Sequence, residues 1–167
     1  VKRFSSKEEA RRVVAAVITP ASVRSKLVAF ENHLNFFHRR GSGLDARLAR
    51  GLAGYLNSTL VDSYFRQFNG HTQVNATDLR KLPYPSVDQL ARIGEHLVRN
   101  PSEQSALDEI VEGELINVPG KQTATAASER RIGEAQEILK GLGLPREQTN
   151  ERAALTLLAM LDLKPTM

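Results

Sequence analysis

No cysteine occurs among the 167 residues. Its absence excludes disulfides, thiolate zinc sites, iron–sulfur clusters and cysteine nucleophiles, and nothing calls for an oxidising compartment. Also missing is any run of the roughly 18 to 20 uncharged apolar residues that a bilayer span needs, and any cationic, then apolar, then small-residue signal at the start. The expected location is therefore cytoplasmic, with no membrane partner. Val1 already lies in an apolar and basic run, which suggests a piece of a longer polypeptide.

Catalytic motifs are equally scarce. A glycine-bearing methyl-donor motif would let the backbone approach a cofactor, and Phe68-Asn69-Gly70-His71 does not supply its spacing. Neither Pro83-Tyr84-Pro85 nor Asn100-Pro101-Ser102 matches the Asn/Asp-Pro-Pro-aromatic tetrapeptide that grips a target amino group. Gly120-Lys121 lacks the upstream glycine of a phosphate-cradling loop, and Glu137-x-x-Lys140 does not have the acidic-x-Lys spacing of nuclease magnesium chemistry. His33, Asn35 and His38 superficially suggest a His-Asn-His nuclease, but strand spacing sets the two histidines on opposite faces and no acidic partner stands at a fixed offset. They are read as polar strand residues, and His71 and His96 as surface or capping side chains. No catalytic residue and no metal site is expected.

What remains is an ordinary globular composition, 41% hydrophobic and 25% charged, with an uneven charge distribution. Residues 1–99 carry 16 Lys+Arg against 8 Asp+Glu, whereas residues 100–167 carry 7 against 11. A basic portion with arginine in excess of lysine suits a surface that meets phosphates, because guanidinium forks match phosphate and guanine edges bidentately.

The pattern predicts an α+β fold: a small antiparallel sheet packed with a long helix, then a mainly helical C-terminal part ending in a helix-turn-helix-like pair. Residues 1–6 and 12–18 read as a hairpin, the valines and isoleucine of the second segment outweighing a Ser5/Glu8 capping box. Residues 31–37 alternate as a strand with Asn32, Leu34 and Phe36 on one face. Asp45 caps a long helix whose ridge is Leu48, Leu52, Leu56, Leu60, Tyr64 and Phe68, with possible bends at Gly51, Gly54 and Asn57-Ser58 and an end at Gly70. Ser86 and Gln89 cap a further helix to about Val98, and an acidic helix is predicted over 105–115. The domains expected are 1–116, a linker over 117–128, and a helical segment over 129–167 with helices from Ile132 to Leu142 and from Asn150 to Leu163.

The segment from Asn69 to Pro85 is dense in hydrogen-bonding side chains beside basic ones. Asn and Gln can read adenine, and Arg and Lys can hold phosphates. Candidate phosphate anchors are Arg39, Arg40, Arg66, Arg80 and Lys81; candidate base or backbone contacts are His71, Gln73 and Asn75. A plain polar connection between two helices is the bland alternative.

Three runs together carry a resemblance: Phe30 to His38, Gly51 to Phe68, and Gly70-His71-Thr72-Gln73-Val74-Asn75 on to Leu82-Pro83-Tyr84-Pro85. Over about residues 1–115 the chain resembles the C-terminal target-recognition region of adenine-specific DNA methyltransferases from restriction–modification systems. Specificity subunits of type I systems share a similar Gly-x-x-Gln stretch leading to Leu-Pro-x-Pro. Ile132 to Leu139, Leu142-Gly143-Leu144-Pro145 and Asn150 to Ala159 are similar to the N-terminal helices of BsuBI/PstI-type restriction endonucleases.

These resemblances imply a sequence-recognising, double-stranded-DNA-binding fragment without independent activity. They also imply an upstream catalytic domain that uses S-adenosylmethionine and flips the target adenine, and a cognate restriction endonuclease as a further partner. No cofactor is expected in the chain itself. The rival expectation is a protein-interaction or subunit-docking module using the acidic helix near Asp108 to Glu114 and the apolar terminal helices.

Overall fold

The computed structural model describes residues 1–23, 28–98, 103–116, 126–141 and 154, the side chains of 126–131 excepted. Among them are six helices: α1 (Ala46–Leu56), α2 (Thr59–Phe68), α3 (Ala76–Leu79), α4 (Val87–His96), α5 (Gln104–Ile116) and α6 (Ala126–Gly141).

The expected sheet is absent. Among the described residues there is no strand, only the isolated antiparallel bridges Lys2–Leu34, Phe4–Gln73 and Arg39–Ser42. The α+β assignment is therefore corrected to a helical fold with extended connections. Side chains take the backbone bonds that a hairpin would have used. The Asn57 amide donates to Ala15 O and accepts from Ala15 N, both at 2.8 Å, presenting the donor–acceptor pair a neighbouring strand would offer. Asp62 accepts from Arg12 N at 2.6 Å, leaving Lys2 N to Val14 O at 2.9 Å as the bond joining the two segments. The alternation in 31–37 likewise fails to predict burial, for Leu34 and Phe36 are exposed while Asn35 is half-buried.

The long helix is two helices. Asn57 turns its amide to Ala15, and the Ser58 hydroxyl accepts from Val61 N, capping a new helix. Asp108 of α5 completes that start by accepting from Thr59 N and Thr59 Oγ1 at 2.7 and 2.6 Å. Breaking the ridge changes which residues are deepest: Tyr55, Val61 and Phe65 are fully buried, and Phe68 is exposed.

α1 packs most extensively on α4. The two backbones touch at Gly51 and Gly94, where an added Cβ on either would overlap a carbonyl of the opposite helix. The capping box of Ser86 and Gln89 forms as expected, and α5 closes the bundle through Arg92–Glu114 at 2.8 Å. Val13, Val74, Leu82, Ile93, Val111 and Leu115 fill the core with Tyr55, Val61 and Phe65. In α6, Ile132, Ala135 and Leu139 are buried while Ile138 is half-exposed. α6 begins at Ala126, inside the expected linker; residues 117–125 and, apart from Ala154, the helix expected over 150–163 lie outside the described residues.

Candidate nucleic-acid interface

The polar loop between α2 and α3 is built around Asn69, which is buried. Its Nδ2 donates to Gln73 O and to Asp78 Oδ2, each at 3.1 Å, and its Oδ1 accepts from His71 N at 3.2 Å. Asp78 also accepts from Asn75 N at 3.1 Å, which starts α3. One amide thus ties both ends of the 69–75 loop to a carboxylate one helical turn further on.

Beneath the loop lies Arg12, a buried guanidinium. It donates to Asn69 Oδ1 at 3.0 Å, to Asn69 O at 3.4 Å and to His71 O, and its Cζ stands 5.8 Å from the Phe65 ring centroid. The cation meets carbonyls at the C-terminal end of α2, where the helix dipole favours positive charge. Its Nε has no hydrogen-bond partner among the described residues. The loop backbone is further held from the side: Ser5 N donates to Thr72 O, Val74 N to Arg3 O, and Asn35 Nδ2 to Val74 O at 2.7 Å.

Holding the backbone leaves His71, Thr72 and Gln73 without a side-chain partner among the described residues, whereas the Asn75 side chain faces the Asp78 N–H in the capping box that opens α3. Gly70, His71, Thr72, Gln73 and Asn75 line an open concavity of about 620 Å³. His71 is exposed and Gln73 and Asn75 are half-buried. Arg80 and Lys81 follow at the end of α3, both exposed, with no side-chain partner among the described residues. Leu79 and Leu82, both buried, pin that turn from below, and Tyr55 donates its hydroxyl to Pro83 O at 2.5 Å. Burial pushes the phenols of Tyr55 and Tyr84 well above the ordinary tyrosine range, so both are neutral anchors.

The remaining candidates divide. Arg66 spends its donors internally, on Asp62 Oδ2 at 2.7 Å and on Lys7 O and Glu9 O at 2.8 Å each, so it fastens the N-terminal segment to α2. Arg39 and Arg40 stand on an exposed two-residue turn, with Arg39 N to Ser42 O at 2.8 Å and the return bond at 2.9 Å. His33 pairs with Glu31, and His38 accepts from Gly41 N at 3.0 Å. No group of three or more His, Asp or Glu that could hold a metal occurs among the described residues. No helix among them is long and apolar enough to cross a membrane.

Sequence reasoning missed Arg12 as the support of this loop and Asp62 as the acceptor that holds the Arg12 backbone N–H. The visible signal was an Arg11-Arg12 pair running directly into an apolar segment, where a charge needs a partner once buried.

Residues 129–167 match the family described as the BsuBI/PstI restriction endonuclease HTH domain. The chain is homologous to type II methyltransferases of restriction–modification systems. It is 53% identical over 122 residues to the type II methyltransferase M.BsuBI of Bacillus subtilis, a stretch covering 72% of this chain and 24% of that protein. It is 49% identical over 114 residues to the type II methyltransferase M.PstI of Providencia stuartii, covering 68% and 22% respectively. The chain therefore spans about a quarter of the length of these curated relatives. No solved structure matches it.

Proposed function

We propose that this chain is the DNA-contacting, site-selecting portion of a restriction–modification adenine methyltransferase. The observation that carries the reading is the loop of residues 69–81, whose backbone is bonded from beneath while His71, Gln73, Arg80 and Lys81 are left to the outside. A rigid backbone with free amide and guanidinium side chains suits direct readout of base edges between phosphate anchors. Duplex DNA is the proposed partner, with Arg39, Arg40, Arg80 and Lys81 on phosphates and His71, Gln73 and Asn75 towards bases.

Methyl transfer from S-adenosylmethionine is proposed for the full-length enzyme, in the cytoplasm. The described residues do not fit that cofactor: at Phe68–Gly70, where a glycine-bearing cradle was sought, the Asn69 amide and carbonyl are already taken by Arg12, His71, Gln73 and Asp78. No chemical step is assigned to this chain. The docking alternative loses its main support in the acidic helix, because Asp108 binds Thr59, and Glu114 binds Arg92 and His96.

Titrating the chain with duplex DNA at several salt concentrations tests the reading. Removing Arg80 and Lys81 together should lower affinity for every duplex and flatten the log–log salt slope by about one per lost phosphate contact. An unchanged slope would remove both residues from the interface. Gln73→Ala should alter site preference by about 1 to 3 kcal/mol at one base pair.

A further inference from the structure

A second surface, outside the 69–81 loop, carries an unusual load of exposed aromatic side chains. Phe30 and Phe36 are 40% and 56% exposed and stack on one another, with centroids 5.2 Å apart and planes 16° from parallel. His38 extends the row, its ring 5.5 Å from that of Phe36. The stack covers one face of each phenylalanine ring and leaves both rings partly exposed at the surface.

The row runs directly into a turn with two positive φ angles, Arg40 at 48° and Gly41 at 81°. Both central residues of such a turn are left-handed, a geometry that asparagine and glycine adopt most readily. Arginine at the first position is conformationally unfavourable, and strain of this kind persists where a side chain serves a function. The turn is held by two bonds between Arg39 and Ser42 and by His38 Nδ1 accepting from Gly41 N. It therefore presents Arg39 and Arg40 beside the ring row, with no side-chain partner among the described residues. The nearest carboxylate in sequence, Asp45, is occupied as the cap of α1, accepting from Arg47 N and Leu48 N, and Glu31 is paired with His33.

Exposed flat rings flanked by unpaired guanidinium groups match a nucleic-acid strand whose bases are unstacked: the rings offer π faces, the cations neutralise the backbone. A protein partner would find the apolar rings equally attractive but would have to bury both arginines against acidic groups. We propose that Phe30, Phe36 and His38, with Arg39 and Arg40, form a stacking platform for an unpaired nucleobase of a DNA strand. The platform lies next to the reading loop, because Asn35 bonds Val74 O and the Phe37 ring sits 6.4 Å from that of Tyr84. This inference rests on the DNA-contacting reading and extends it from paired to extruded or single-stranded bases.

The test compares oligothymidylate with an abasic phosphodiester strand of equal length, by fluorescence anisotropy at low salt, using the 167-residue chain. The unaltered chain should prefer the base-bearing strand. Phe36→Leu, which keeps an apolar side chain but removes the π face, should cost about tenfold in affinity for oligothymidylate and nothing for the abasic strand. Arg40→Gly should weaken both strands alike while raising the unfolding temperature, since glycine relieves the left-handed turn.

Equal binding of the two strands, or an unaffected Phe36→Leu variant, overturns the platform. So does a Phe36→Leu variant that binds normally but changes sedimentation mass, which would assign the face to a second copy of the chain. Duplex binding that survives any of these results keeps the reading of the 69–81 loop intact. Absence of both duplex and single-strand binding sinks the two together.

Discussion

Gly51 of α1 and Gly94 of α4 bring two helix backbones into direct contact. A Cβ on Gly51 would overlap Leu90 O and sit 3.0 Å from Gly94 N; one on Gly94 would overlap Arg47 O and sit 2.8 Å from Gly51 N. The obstruction is backbone on both sides, so no rotamer change can absorb it. Around the crossing, Arg47 pairs with Glu95 at 2.9 Å and Arg50 Nε donates to Gly94 O at 3.1 Å. Such a crossing sets how closely α4 approaches Tyr55, and Tyr55 in turn anchors Pro83 at the end of the reading loop.

Gly51→Ala or Gly94→Ala should therefore destabilise the chain by about 3 kcal/mol or more, the upper range for overpacking. Gly43→Ala, with nothing within 4 Å of its added carbon, should change stability by less than about 0.5 kcal/mol. Urea unfolding of the three variants checks both expectations.

Arg12→Met should cost about 2 to 4 kcal/mol, because Asn69 O, Asn69 Oδ1 and His71 O all lose a charged donor in a buried place. The damage should be local first. Amide hydrogen exchange should accelerate across residues 69–75 before it does in α1 and α4. Uniform acceleration over the whole chain would show that Arg12 supports the global fold rather than the loop.

Arg66 and Arg80 should behave as opposites. Arg66→Ala should lower stability by about 1 to 2 kcal/mol through the loss of bonds to Asp62, Lys7 O and Glu9 O, and should leave the salt dependence of DNA binding unchanged. Arg80→Ala should do the reverse, as its side chain has no partner among the described residues. Paired unfolding and anisotropy measurements on the two variants separate the roles.

Alkaline pH should unfold the chain through its tyrosines. Desolvation raises the phenol pKa of Tyr55 and Tyr84 in the folded state, so the stability they contribute is complete below the unfolded value of about 10 and declines as pH rises beyond it. Phenolate absorbance should show these two groups ionising together with loss of helicity. Ionisation of all three tyrosines near pH 10 with helicity intact would contradict their burial.

Helices with a strong local signal were legible. Asp45 accepts from Arg47 N and Leu48 N as a cap should, and the Ser86/Gln89 box starts α4. The homology was legible too, because it lies in the order of side chains. Strand assignments failed for a specific reason: alternation and β-branched residues describe a preference, while Asn57 and Asp62, more than 40 positions away, decided where the 12–15 backbone bonds went. Of the site, the exposed residues of the polar loop could be named from composition. The separation of Arg66 from Arg80 could not, since the two arginines look alike until their neighbours are known.

The linear order of residues determined the charge asymmetry, the helix caps, the exclusion of thiol chemistry and the likeness to restriction–modification methyltransferases, all properties of local chemistry or of spacing along one chain. Tertiary structure alone decided which arginine is buried, which glycine pair sets the helix crossing, and which cations remain free. Those outcomes depend on contacts between residues far apart in the chain, where desolvation and steric exclusion act only once the distant partner has arrived.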